Sequence, residues 1–276
     1  MIQLKSHEEI ELIRQSCLLV SKTLAQVAAV LKPGMTGLEI DRLAETFIRD
    51  HNAVPAFKGY QGFPGTLCIS KNEAVVHGIP DGDAFLETDI LSIDCGVLMN
   101  DFFGDSAFTF AMPGVDEDVM KLLETTNESL YKGIAEAKVG NRIGDISNAI
   151  QQHAEAGGYT VVRELVGHGI GRNLHEPPEV PNYGKRGRGP KIKSGLVIAV
   201  EPMINKGVKQ VRQAKDGWTI ITKDGLPSAH YEHTIAITDD KTETLSDHTL
   251  IEASIKNNPE IRNISLKKSI FALQNF

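Results

Sequence analysis

The sequence has 276 residues, long enough for one large domain or two modest ones, and its 41% hydrophobic and 24% charged content is that of a globular protein. A net charge of −7 excludes a nucleic-acid binder that works through overall charge, leaving only local basic patches to weigh. Three cysteines, Cys17, Cys68 and Cys95, form no C-x-x-C pair, and their odd number suits a reducing compartment better than a disulfide framework, so a cytoplasmic location is expected.

The amino terminus carries acidic residues where a signal peptide needs an apolar core, and no later run approaches the ~20 apolar residues of a membrane span. Ser6-His-Glu-Glu9 is a capping box, and Ile10, Ile13, Cys17, Val20, Leu24, Val27 and Leu31 recur at steps of three and four. The spacing predicts a long amphipathic helix, stopped by Pro33-Gly34. Thr36-Gly-Leu-Glu39 is a second capping box, opening a helix with Ile40, Leu43, Ala44, Phe47 and Ile48 on its apolar face. A loop rich in glycine and aromatics follows over residues 53–65, holding Tyr60 and Phe63, which either line a pocket or plug the core. A strand is expected over Thr66 to Ser70, then a connection through His77-Gly-Ile-Pro80.

Ile90 to Phe110 reads as two apolar strands joined by a polar turn at Met99-Asn100-Asp101. A turn centred on Met99-Asn100 pairs Asp94 directly with Asp105, on one sheet face and roughly 5 Å apart. Two facing carboxylates among Ile90, Ile93, Phe108 and Phe110 are destabilising unless a cation lies between them or one takes a proton. Either a divalent metal site or a hairpin with a solvated polar face accounts for this stretch alone.

After Pro113-Gly114 the pattern begins again, with a helix through Val119, Leu122, Leu123, Thr126, Leu130 and Ile134. Lys32-Pro-Gly34 with Glu39-Ile40 matches Lys138-Val-Gly140 with Asp145-Ile146 at an offset of 106 residues, which implies an internal duplication. His153 falls on the apolar face of the second such helix, as a packed histidine rather than a ligand. The offset carries Asp94 onto Val200, beside Glu201 at the end of a strand over Leu196 to Val200, and a further strand over Ala229 to Thr238 holds Glu232. Two helix-helix-sheet halves, about 6–112 and 116–240, would bring Asp94, Asp105, Glu201 and Glu232 to one centre. The expected architecture is α+β, a single domain over residues 1–248. Residues 249–276 change character and are expected to be an appendage, either a flexible tail or a short helix over Ser265 to Leu273.

Glu164 to Pro178 holds His168 and His175 on glycine-interrupted backbone, with glycines at 167, 169 and 171. It is neither a dinucleotide fingerprint nor a helical H-E-x-x-H zinc motif, and no G-x-S-x-G elbow or Walker loop occurs. Four carboxylates and one or more histidines suit two divalent ions bridged by carboxylate oxygens and a water, the arrangement of metal-assisted hydrolysis.

Taken together, His77-Gly-Ile-Pro, Asp94 with Asp105, Gly167-His-Gly-Ile-Gly-Arg172, Glu201-Pro-Met and Tyr231-Glu-His-Thr234 give a chain that resembles a bacterial type I methionine aminopeptidase of the pita-bread fold, from about Ile2 to Leu245. The resemblance implies that Asp94 chelates one metal, that Asp105 and Glu232 bridge two, and that His168 and Glu201 complete the other. It implies further that His77 and His175 contact the substrate, that Glu201 shuttles the proton of a bridging water, and that Tyr60, Phe63, Cys68 and Trp218 wall a methionine pocket. Two divalent ions (Co, Mn, Fe or Zn) follow as cofactors, with Asn72 and Ser228 near the position of a structural monovalent cation in relatives. Leu174 departs from the aromatic residue that better-known members often carry before this histidine, which bears on pocket shape. The expected activity removes the initiator methionine from nascent chains whose second residue is small. The expected protein is a monomer without membrane contact, and its five-lysine-and-arginine loop Lys185 to Lys193 is a candidate ribosome contact.

Two rivals share the fold. A Xaa-Pro aminopeptidase or prolidase has the same five ligands, but usually an added amino-terminal domain, and Glu201-Pro-Met with Asp216-Gly-Trp218 fits the methionine enzymes better. A non-catalytic relative that binds partners or RNA has no reason to keep opposed acids.

Overall fold

The computed structural model describes residues 1–264. Helix α1 (His7–Val30) starts where expected: Ser6 Oγ accepts from Glu9 N at 3.2 Å and Glu9 Oε2 accepts from Ser6 N at 3.1 Å. Its stripe of Ile13, Cys17, Val20, Leu24 and Val27 is fully buried, each side chain contributing about 1.5–3 kcal/mol of apolar transfer. The Thr36–Glu39 box opens α2 (Gly37–Asp50) in the same way.

Strands β1 (Val54–Pro55), β2 (Leu67–Lys71) and β3 (Ala74–Val76) lead into the long hairpin of β4 (Ile90–Met99) and β5 (Phe102–Ala111). β1 and β2 lie along one edge of β4, β5 lies along the other, and α1 packs across the hairpin. The hairpin register differs from the expected one. Its turn is Asn100-Asp101, both with positive φ (54° and 63°), the conformation of a two-residue hairpin loop whose twist matches the strands. Asp94 therefore faces Ala107 and Asp105 faces Gly96. The slip is an even number of residues, so both acids stay on one face, as diagonal rather than direct neighbours.

The second half runs through α3 (Glu117–Ala135) and α4 (Ile143–Ala156), packed on one another. Asp145 Oδ2 accepts from Arg142 N at 2.8 Å, half of a capping box, since Arg142 stands where the first half has Thr36. His153 Nε2 pairs with Glu128 at 2.9 Å, away from the acids. Then come β6 (Thr160–Val161), β7 (Val166–Gly169), β8 (Glu176–Pro181), β9 (Leu196–Val200), β10 (Met203–Asn205), β11 (Val211–Gln213), β12 (Ile220–Thr222), β13 (Ser228–His230), β14 (His233–Ile237) and β15 (Thr242–Thr244). A five-stranded sheet has the order β15-β14-β9-β7-β8, and smaller sheets are β13-β10-β6 and β11-β12-β3.

The expected strand over 229–238 is in fact two strands, parted at Tyr231-Glu232, and β9 is likewise parted from β10 at Glu201-Pro202. Both antiparallel chains leave the large sheet and enter the small one at the same level. Each break carries a glutamate. This junction is tied to β5: Thr234 Oγ1 donates to Asp105 O at 2.8 Å, Ser106 Oγ to Glu232 O at 2.6 Å, and Tyr231 OH to Thr109 O at 2.9 Å.

Helix α5 (His248–Lys256) buries Ile251 and Ile255 and packs on α1, and Asn258 Nδ2 donates to Ala28 O and Leu31 O at 2.8 and 2.7 Å. Residues 249–264 are thus docked on the body, whereas the helix expected over Ser265 to Leu273 lies outside the described residues. Among the described residues no helix is long and apolar enough to cross a membrane.

Candidate metal centre and substrate pocket

β4 and β5 supply Asp94 and Asp105, the breaks after β9 and before β14 supply Glu201 and Glu232, and β7 supplies His168. Gly167 and Gly169 let β7 approach closely: a Cβ at either would overlap the carbonyl oxygen of Ala199 or Pro177. His168 Nε2 consequently sits 3.6 Å from Glu201 Oε1 and 3.9 Å from Asp105 Oδ2. One donor atom each from Asp105, His168 and Glu232 lies within 4.8 Å of the others, as do those from Glu201, His230 and Glu232.

Burial pushes all four acids well above the usual carboxylate range, Asp94 to about 7, and for Asp105, Glu201 and Glu232 repulsion from the neighbouring carboxylates adds to it. Buried oxygens of Asp94, Asp105 and Glu232 have no hydrogen-bond partner among the described residues. Orphaned carboxylate oxygens beside an imidazole held neutral by burial, its pKa lowered to about 4, fit a borderline divalent cation in donor type and spacing.

A pH dependence follows. Asp94 is raised from 3.8 to about 7 in the metal-free fold, so between those values the unfolded chain releases a proton that the folded chain must keep. The metal-free protein loses stability from this group as pH rises through that window, and a bound cation restores it. The thermal stabilisation by added Mn²⁺ is therefore expected to grow from pH 4 to about 7, measured by unfolding with and without the ion. A stabilisation independent of pH would contradict it.

All of the residues expected to hold metal or substrate line one cavity of ≈ 260 Å³. Phe63 and Trp218 meet edge to face at 5.3 Å, Cys68 pairs with Asp94 across β2 and β4, and Leu174 closes the wall. His77 adopts φ 59°, an uncommon conformation for a non-glycine residue and one that recurs where a side chain must be aimed. The Tyr60 hydroxyl lies 2.9 Å from His175 Nδ1, and desolvation lowers the pKa of both His77 and His175. Asn72 and Ser228 lie outside this cavity, joined by Ser228 N donating to Asn72 O at 2.9 Å.

Two features of the site were not read from the sequence. One is His230, two residues before Glu232, where the period of a strand would have put both on one face. The other is the support of His175. Lys5 Nζ pairs with Glu176 Oε2 at 2.6 Å, both side chains at most 4% exposed, and Glu176 Oε1 accepts from Asn173 N at 3.1 Å. Lys5 lies 171 positions from its partner, beyond the reach of any local pattern. Lys5→Met leaves a buried unpaired carboxylate and is expected to cost about 3–5 kcal/mol in denaturant unfolding, much of it recovered in Lys5→Met/Glu176→Leu. Additive losses in the double variant would contradict the pairing.

The model of metallopeptidase family M24 matches residues 11–239. The chain is 49% identical over 247 residues to a methionine aminopeptidase of Clostridium acetobutylicum, covering 89% of this chain and 99% of that one. The crystal structure of a methionine aminopeptidase from Rickettsia prowazekii superposes with a TM-score of 0.88 at 38% identity, over 90% of this chain and all of that one. A prolidase from Pyrococcus furiosus shares the fold at a TM-score of 0.70 and 23% identity, with 65% of its length covered.

Proposed function

The chain belongs to metallopeptidase family M24, among the bacterial methionine aminopeptidases of the pita-bread fold, and from that premise we propose that it removes the initiator methionine from chains whose second residue is small, at a centre of two divalent ions. The observation that carries this reading is the convergence of Asp94, Asp105, His168, Glu201 and Glu232 on the cavity that Tyr60, Phe63, Cys68 and Trp218 also line. Asp94, Asp105, His168, Glu201 and Glu232 would hold the ions, with Asp105 and Glu232 shared between them, Asp94 on one and His168 with Glu201 on the other. Bound ions supply Lewis acidity toward a water and the scissile carbonyl.

The remaining steps fall to the side chains. Glu201, raised by burial and by Asp94, takes the proton of the attacking water and passes it to the leaving amine. His175 Nδ1 lies 2.9 Å from Tyr60 OH, and with the hydroxyl donating, the ring proton resides on Nε2, the tautomer that donates to a carbonyl oxygen. His77 is the second donor at the cavity. The aromatic and sulfur walls suit a thioether side chain. The test is to strip metal, restore Mn²⁺, Co²⁺, Fe²⁺ or Zn²⁺ in turn, and compare Met-Ala-Ser with Ala-Pro-Ser. Release of methionine is expected, and release of alanine alone would overturn the assignment.

The loop over 185–193 supports a ribosomal contact. Lys185, Arg186 and Arg188 are exposed, and the loop is held to α4 by Gly144 N donating to Arg188 O at 2.9 Å. Arg186→Glu/Arg188→Glu is expected to weaken ribosome association, most at low salt, with peptide turnover intact. Unchanged binding in a sedimentation assay would sink the contact.

A further inference from the structure

His230 ends β13 with 1% of its surface exposed, and its Nε2 has no hydrogen-bond partner among the described residues. That nitrogen lies 3.8 Å from Glu201 Oε2 and 3.9 Å from Glu232 Oε2. Both distances are too long for hydrogen bonds. They are the separations of donor atoms that ligate one ion, each bond to it being about 2.0–2.2 Å. His168 Nε2 bears the same relation to its neighbours, 3.9 Å from Asp105 and 3.6 Å from Glu201. Glu201 thus turns Oε1 to one imidazole and Oε2 to the other.

The backbone gives His230 no room to withdraw. Its N–H donates to Thr109 Oγ1 at 3.0 Å, and its carbonyl accepts from the same hydroxyl at 2.7 Å, which pins the residue to β5. A buried nitrogen held without a partner between two carboxylates costs free energy that a shared cation repays.

We propose that His230 is a further nitrogen ligand of the centre, holding a divalent cation together with Glu201 and Glu232, the two acids that its Nε2 faces. The inference rests on the reading of the acidic cluster as a metal centre. A second imidazole biases the centre toward Fe²⁺, Co²⁺ or Zn²⁺ and away from Mg²⁺, which prefers oxygen.

The test uses the Co²⁺-loaded full chain. X-ray absorption counts the imidazoles around the ions, and competition with a chelator gives the affinity. His230→Gln, which keeps side-chain bulk, is expected to lose one imidazole and to bind Co²⁺ at least about tenfold more weakly. His230→Ala should do the same, and far-ultraviolet circular dichroism of both variants checks the fold. An unchanged imidazole count and affinity in both folded His230 variants, with His168→Gln losing an imidazole, overturns this inference alone. An unchanged count in His168→Gln as well overturns the metal-centre reading and this inference with it.

Discussion

Asp105→Ala is expected to abolish turnover and to leave the protein unable to hold its divalent ions. Asp105 is 3% exposed and is the acid on which the others converge: it lies diagonal to Asp94 across the hairpin, 3.9 Å from His168 Nε2, and its pKa is raised by burial and then by Asp94 and Glu201. On the proposed reading Asp105 would be a ligand to both ions, so metal affinity should fall by more than the ~10–100-fold that loss of an outer partner costs. The metal-free variant should meanwhile be no less stable than the parent, because one of four mutually repelling buried acids is gone. Metal analysis, turnover and unfolding of the metal-free protein check the three effects together. Retained metal with full activity would remove Asp105 from the centre.

His175→Ala should separate chemistry from metal loading. The ring lies with His77 on the cavity, its Nδ1 2.9 Å from the Tyr60 hydroxyl, and meets the His168 ring edge to face at 4.4 Å. Removing one donor to a developing oxyanion costs about 10²–10³ in kcat, or roughly 3–4 kcal/mol. Metal content should be that of the parent and KM should move less than kcat. Tyr60→Phe should give a smaller loss in the same direction, since it frees the tautomer without deleting the ring. Full activity in His175→Ala, or loss of metal, would contradict this role.

The helices were legible because their signals are local. Ser6 with Glu9 and Thr36 with Glu39 form the reciprocal bonds that the spacing implies, and the apolar stripe of α1 is the buried one. The sheet was legible to parity. Alternation put Asp94 and Asp105 on one face, while the turn conformation that settles which residues face each other depends on backbone angles at Asn100 and Asp101 that several turn types compete to supply. The partings at Glu201 and Glu232 were not legible, because an apolar β-rich run reads the same whether one strand or two occupy it. They decide the site, since they turn both glutamates toward β5. His230 was within reach of the same alternation, two residues before Glu232, whereas the Lys5–Glu176 pair escaped because burial couples residues that no periodicity links.

The central claim is that two divalent ions are held by Asp94, Asp105, His168, Glu201 and Glu232. Anomalous diffraction from crystals equilibrated with Mn²⁺ or Co²⁺ addresses it most directly. Two peaks are expected at coordination distance from these five side chains, both weakened in Asp105→Ala. Active protein whose ions lie elsewhere, or a cluster that stays metal-free at full activity, would contradict the account.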